Sequence, residues 1–172
     1  MTAFTKDAVK ELSASLNEPE WMLEFRLKAF EVYENTPMPT TKDEPWRRTN
    51  LRRLKMDQVG PSINGDAATE AEIPSFLNTQ LTEDKAGGNM LQVDGETVQF
   101  ELSEKLQEQG IVFCDMHTAV QEHPDLVQEH FMTKGVKVDE GKFAALHGAF
   151  WRGGTFLYVP KNVQAAAPVH TV

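Results

Sequence analysis

The chain has 172 residues, 40% of them apolar and 25% charged, with a net charge of −9 and a pI of about 5.0. At this length folding can bury about 70% of the unfolded surface, so a core needs no staples, and an acidic surface disfavours generic binding to nucleic-acid phosphates. The lone cysteine, Cys114, excludes an intramolecular disulfide, and no apolar run approaches the ~20 residues of a membrane-spanning helix.

The first ten residues carry Lys6, Asp7 and Lys10 around no apolar segment, which is not a secretory signal. With one cysteine and no span, a cytoplasmic protein is expected, with neither a membrane nor nucleic acid as partner. Phe4, Ala8, Leu12 and Leu16 recur at fours and predict a short amphipathic helix. Asn17 reads as the N-cap of a second helix, with Glu20 as its capping-box partner and Pro19 in the first turn. At about 100° per residue, Glu24, Lys28 and Glu31 fall on one stripe of that helix. Apolar residues from Met22 to Tyr33 cover the rest, so it should pack on more than one side. Arg26 lies inside the apolar arc. A buried guanidinium cannot be left unpaired, so a carboxylate (Glu18, Glu20, Asp43 or Glu44) or several backbone carbonyls must meet it.

Pro37 and Pro39 stop the second helix, and 36–45 reads as a loop. Trp46 to Leu54 reads as a further helical turn, with Leu51 and Leu54 inward and Arg47, Arg48, Arg52 and Arg53 around it. Residues 60–88 read as a long connector with one short element near Ala71 to Leu77. Met90 to Phe100 predicts a hairpin, because Asp94-Gly95 supplies the positive φ that a two-residue turn demands. Then follow a short helix over 103–109 ended by Gly110, a strand over 111–114, and helix over 116–131 with a joint at Pro124. An extended piece over 135–138, a helix over 141–150, and strands over 155–159 and 167–172 complete the chain. The class is mixed α+β, in three stretches: a helical segment (1–58), an α/β region with connector and hairpin (59–140), and a helix with strands (141–172). An alternating strand running to Val172 is expected to continue in a longer parent chain, and the open edges of the last two strands invite self-association.

Chemistry-bearing residues are sparse. His117, His123, His130, His147 and His170 form no i, i+4 pair and no H-E-x-x-H, so surface or capping roles fit them better than ligation. Cys114 follows Ile-Val-Phe on a strand, where a small core hydrophobe is the better reading; as a nucleophile it would need a positive neighbour, and Asp115 acts the other way. Gly153-Gly154 has the order helix, glycines, strand, the reverse of a phosphate loop, and reads as a helix stop with close backbone approach. The four arginines read as a solvated face paired with surplus carboxylates, or as a docking patch for an acidic partner. No catalytic, cofactor-binding or metal-binding residue is assigned, and no enzyme is expected.

The pattern E-P-E-W-M-x-x-F-R-x-x-A-F from Glu18, then P-x-P, then W-R-R-T from Trp46, resembles the N-terminal region of the SufB/SufD family of iron–sulfur cluster assembly proteins, nearer its SufD side. F-A-A-L-H-G-A-F-W-R-G-G-T-F-L-Y-V-P-K from Phe143 to Lys161 resembles the segment that leads into that family's β-helix. The resemblance implies first strands of a right-handed β-helix cut off after Val172. It implies pairing of SufB with SufD, recruitment of the ATPase SufC, and an interaction role in a SufBCD scaffold. The family's cluster-site and SufC-docking residues would lie beyond Val172, so none is carried over. A cluster would be assembled by the full complex and not bound by this segment; direct iron or cluster binding, or the N-terminal part of SufB, are the alternatives.

Overall fold

A computed structural model describes residues 3–61, 63 and 86–172. The expected element near Ala71 to Leu77 lies outside the described residues. Helices and two small sheets make up the rest, a mixed α+β arrangement. The described residues divide into two compact units, each drawn from two stretches of chain: 3–63 with His123–Trp151, and 86–122 with Arg152–Val172. The three stretches read from the sequence mark changes of patterning, whereas these units mark what packs together.

In the first unit, α1 (Lys6–Ser15) begins at Thr5, whose extended backbone lets its hydroxyl accept from the Ala8 N–H at 3.1 Å. It buries Ala8, Val9 and Leu12. Its end corrects the reading of Asn17. That residue has φ +49°, its N–H donates to the Ala14 carbonyl, and the Glu18 N–H donates to the Ser13 carbonyl, both at 3.1 Å. This is a Schellman stop with Asn17 in its left-handed position. The next helix, α2 (Glu20–Asn35), starts after extended Pro19 with no side-chain cap. Asparagine suits both roles, and the backward bonds won because they satisfy two carbonyls at the end of α1.

One face of α2 buries Met22, Arg26, Ala29, Phe30 and Tyr33. It packs against α1 and against α6 (Lys142–Phe150). Small residues set the approach to α6: Ala145, Gly148 and Ala149 are buried, and a Cβ on Gly148 would stand 3.1 Å from that of Ala29. Rings close the core, with Phe150 edge-on to Phe4 at 5.1 Å and to Phe30 at 5.9 Å. Lys142 caps the far end of α2, donating to the Tyr33 and Thr36 carbonyls at 2.7 and 2.8 Å. Helix α5 (Pro124–His130) has its proline in the first turn, so the expected joint is there.

Two further expectations in this unit are corrected. Trp46 to Leu54 is no helix but two separate 3₁₀ turns, Glu44–Trp46 and Leu51–Arg53, and Leu54 is 40% exposed instead of inward. Asn50 causes the break: its side chain accepts from the Arg52 N–H at 3.0 Å and restarts the chain locally. Residues 135–138 form no extended stretch either, although Lys137 itself has extended angles. Val138 opens a 3₁₀ turn (Val138–Glu140), drawn in by Glu140 accepting from the Lys137 N–H at 2.9 Å.

In the second unit, β1 (Gly88–Val93) and β2 (Glu96–Leu102) form the expected antiparallel hairpin. Asp94 and Gly95 have φ +51° and +85°, the pair of positive angles that a type I′ turn requires. A bulge falls between Leu91 and Gln92. Strand β5 (Val169–Thr171) lies parallel on the other side of β1, with Gly88 opposite Val169. The second sheet pairs β3 (Val112–Asp115) antiparallel with β4 (Thr155–Tyr158). Between β2 and β3, α3 (Glu104–Glu108) buries Leu106 and turns at Gly110, φ +72°. Helix α4 (Met116–Glu122) follows β3 directly, its first turn held by Asp115, which accepts from the His117 and Thr118 N–H groups at 2.9 and 3.0 Å.

Candidate functional site

The strongest buried polar centre is built around Arg26. The Schellman stop of α1 turns Glu18 toward α2, and the Glu18 carboxylate grips the guanidinium in two places: Nε at 2.7 Å and Nη2 at 2.6 Å. Nη1 donates to the Ala149 carbonyl at 3.1 Å. The guanidinium carbon stands 4.5 Å from the centroid of the Trp151 ring. Side-chain exposure is 0% for Arg26 and 1% for Glu18. Among the four carboxylates named from the sequence, Glu18 is therefore the partner, and one backbone carbonyl joins it where the sequence reading had offered several as the alternative. The sequence reasoning missed Trp151 and Ala149. Trp151 follows α6, and only the fold brings it to α2. A bidentate, stacked, fully enclosed arginine is a positioning device: it fixes α1, α2 and the end of α6 together and is shut away from solvent.

Cys114 is half-buried on β3. Burial pushes its thiol up to about 11, with Asp115 and Glu122 adding to the rise. At neutral pH the group holds its proton, so it is a weak nucleophile and a weak metal ligand. The histidines are scattered. His117 meets the Arg152 carbonyl through Nε2, His130 lies 3.8 Å from Glu129 on the surface, His147 is exposed on α6, and His170 is on β5. Among the described residues, no three of His, Cys, Asp and Glu gather as metal ligands would.

Gly153 and Gly154 make the close backbone approach read from the sequence, but the helix has already stopped at Phe150, with Trp151 as its C-cap. A Cβ on Gly153 would run into the backbone of Gly95. The Gly154 carbonyl accepts from Met116 N–H at 2.9 Å and from the Gln92 amide at 3.0 Å. Arg152 pairs with Glu96 beside them. This tight crossing ties the β1–β2 turn to the start of β4.

The arginine-bearing loop is the remaining candidate. Arg47, Arg48, Arg52 and Arg53 are all exposed. Arg47 reaches Glu44 at 3.5 Å, and among the described residues Arg48, Arg52 and Arg53 make no ion pair. Trp46 is half-buried, its ring tilted against Phe143 at 5.3 Å. The prolines at 37, 39 and 45 hold the loop around it. No helix among the described residues is long and apolar enough to cross a membrane.

Residues 6–171 match the family model for the SufBD protein N-terminal region. The chain is 39% identical over 170 residues to the iron–sulfur cluster assembly protein SufD of Bacillus subtilis (strain 168), covering 97% of this chain and 38% of that protein. It is 35% identical over 178 residues to SufB of the same organism, covering 96% and 36%. A SufBD-family iron–sulfur cluster assembly protein of Staphylococcus aureus (strain USA300) is 35% identical over 179 residues, again covering 96% and 36%. The chain thus spans between a third and two fifths of the length of these relatives.

Proposed function

This chain belongs to the SufB/SufD family through the family's N-terminal region, and from that premise we propose that it is the N-terminal domain of a SufD-like component of an iron–sulfur cluster assembly complex. Its role there is structural: it supports association with SufB and SufC, in the cytoplasm, while the cluster is assembled by the full complex as cargo. The strands at its C-terminal end lead into a right-handed β-helix in the longer protein. The observation that supports this most is similarity along 97% of the chain to an iron–sulfur cluster assembly protein, SufD of Bacillus subtilis. The buried ion pair agrees, since its bonds join helices to one another.

The test removes residues 1–172 from the longer protein and co-expresses the remainder with SufB and SufC. The expected result is a poorer yield of the assembled complex and slower delivery of clusters to an apo-ferredoxin. Equal yield and equal delivery would refute an assembly role.

Of two other readings, the first has a specific observation behind it and the second has one against it. Identity of 35% to a SufB, against 39% to a SufD, makes a SufB-type N-terminal domain the nearer rival. Pull-down of the longer protein with separately tagged SufB and SufD distinguishes them, because a SufD-like chain should capture SufB. Direct iron or cluster binding would have to use Cys114, whose thiol is pushed up to about 11. Anaerobic reconstitution should leave the chain colourless, and visible absorption lost on Cys114→Ser would restore that reading. Strand β5 is at the edge of its sheet, so the isolated domain should also self-associate weakly through it.

A further inference from the structure

Residues 42–55 carry six cations and two acids, a net +4 within a chain of net −9, so the remainder carries −13. In an acidic chain, cations normally find carboxylate partners cheaply. Here Arg48, Arg52 and Arg53 stand exposed with no ion pair among the described residues. Among the described residues, then, no carboxylate neutralises these three arginines.

The same loop also presents apolar concavity. One groove of about 440 Å³ runs past Pro39, Trp46 and Phe143, and a second of about 460 Å³ runs past Leu51 and is walled by Lys42 and Arg52. Met38 and Pro39 line both. A row of apolar seats with cations on its rim is complementary to an extended segment that alternates acidic and apolar side chains. Range decides the class of partner. Screening limits exposed charges to about 8 Å at physiological salt, so a short acidic segment feels this loop alone. A long phosphate polymer would also meet the −13 of the remainder.

We propose that the loop from Met38 to Lys55 is a docking site for an acidic protein segment with apolar anchors. It takes the interaction role proposed above and assigns it a surface and a partner chemistry. The acidic side chains engage Lys42, Arg48, Arg52 and Arg53, and an apolar side chain seats between Pro39 and Trp46.

The test titrates the 172-residue chain against a fluorescein-labelled dodecapeptide of eight Asp or Glu residues interspersed with Leu and Phe, read by anisotropy. Oligoglutamate and oligo-dT of equal charge are titrated in parallel. The dodecapeptide should bind at least about 10-fold more tightly than either, and weaken about 10-fold in the variant Arg48→Glu/Arg52→Glu/Arg53→Glu. Retention of binding in Arg52→Lys/Arg53→Lys separates charge from a folding defect. Equal binding of oligoglutamate overturns the anchored groove, and tighter binding of oligo-dT overturns the partner class. Self-association that the charge reversal abolishes would make the occupant a second copy, which also overturns the proposal, as would no binding at all. Failure here leaves the assembly role to its own co-expression test.

Discussion

Replacing Glu18 by alanine leaves the Arg26 guanidinium enclosed with only the Ala149 carbonyl and the Trp151 face for company. Arginine cannot shed its proton in a protein, and Arg26, midway along α2, has no route to water. Breaking one side of a buried pair costs about 3–5 kcal/mol. At about 2–4 °C per kcal/mol for a chain of this size, Tm should fall by roughly 6–20 °C. The reciprocal change, Arg26→Leu, strands a carboxylate instead. Glu18 sits in the turn between two helices, where its side chain can swing outward, and a leucine fills the vacated apolar space. That variant should lose about 1–3 kcal/mol. In Glu18→Ala/Arg26→Leu neither charge is stranded, and stability should return to within about 1–2 kcal/mol of the parent. Urea titration of all four proteins gives the cycle. Additive single effects, or Arg26→Leu falling below Glu18→Ala, would refute the account of an enclosed pair.

Three further outcomes follow from the geometry. Burial holds the proton on Cys114 up to about 11, whereas an unfolded cysteine loses it near 8.5. This contribution to stability is intact below that lower value and disappears as pH rises toward the upper one. At pH 8, native Cys114 should react with a thiol reagent roughly 100-fold more slowly than in urea, and equal rates would sink the assignment. Gly153→Ala drives a Cβ into the Gly95 backbone and should lower stability by about 1–3 kcal/mol by urea titration, more than Gly135→Ala, where nothing lies within 4 Å. Asn17→Gly should be tolerated or mildly stabilising while Asn17→Val costs about 1–2 kcal/mol, because the left-handed backbone at φ +49° penalises a branched side chain. Equal melts of those two variants would contradict the Schellman stop.

Local chemistry was legible in the chain wherever a few neighbouring residues settle the backbone. Asp94-Gly95 announces its turn because few other pairs accept two positive φ angles, and Pro124 announces a helix joint because it lacks an N–H. Arg26 announced that it needed a partner, since the demand comes from the helix face alone. Its partners were only partly legible. Glu18 is eight residues away and could be named among four candidates. Ala149 and Trp151 arrive from a distant helix, and nothing local points to them. Asn17 was misread because asparagine serves equally as an N-cap and as a left-handed stop, and the choice belongs to carbonyls of the preceding helix. The parallel pairing of β5 with β1 was invisible for the same reason as Trp151: register between remote strands leaves no trace in either strand's own pattern. The arginine loop was visible as charge, but one of its grooves depends on Phe143, nearly a hundred residues later.

The contact between Arg26 and Ala149 spans 123 residues of chain. Closing a loop of that length costs about 4 kcal/mol of chain entropy before any contact repays it. During synthesis at about 5–20 residues per second, the arginine leaves the ribosome roughly 6–25 s before its last partners do. Until then Arg26 and Glu18 have no lid, and α1 and α2 form at most a hydrated hairpin. The first unit therefore matures late, after translation has passed through the intervening stretch 65–122 and returned to Trp151. A chain interrupted before Trp151 would leave the apolar face of α2 uncovered, with the Arg26–Glu18 pair open to water at its centre.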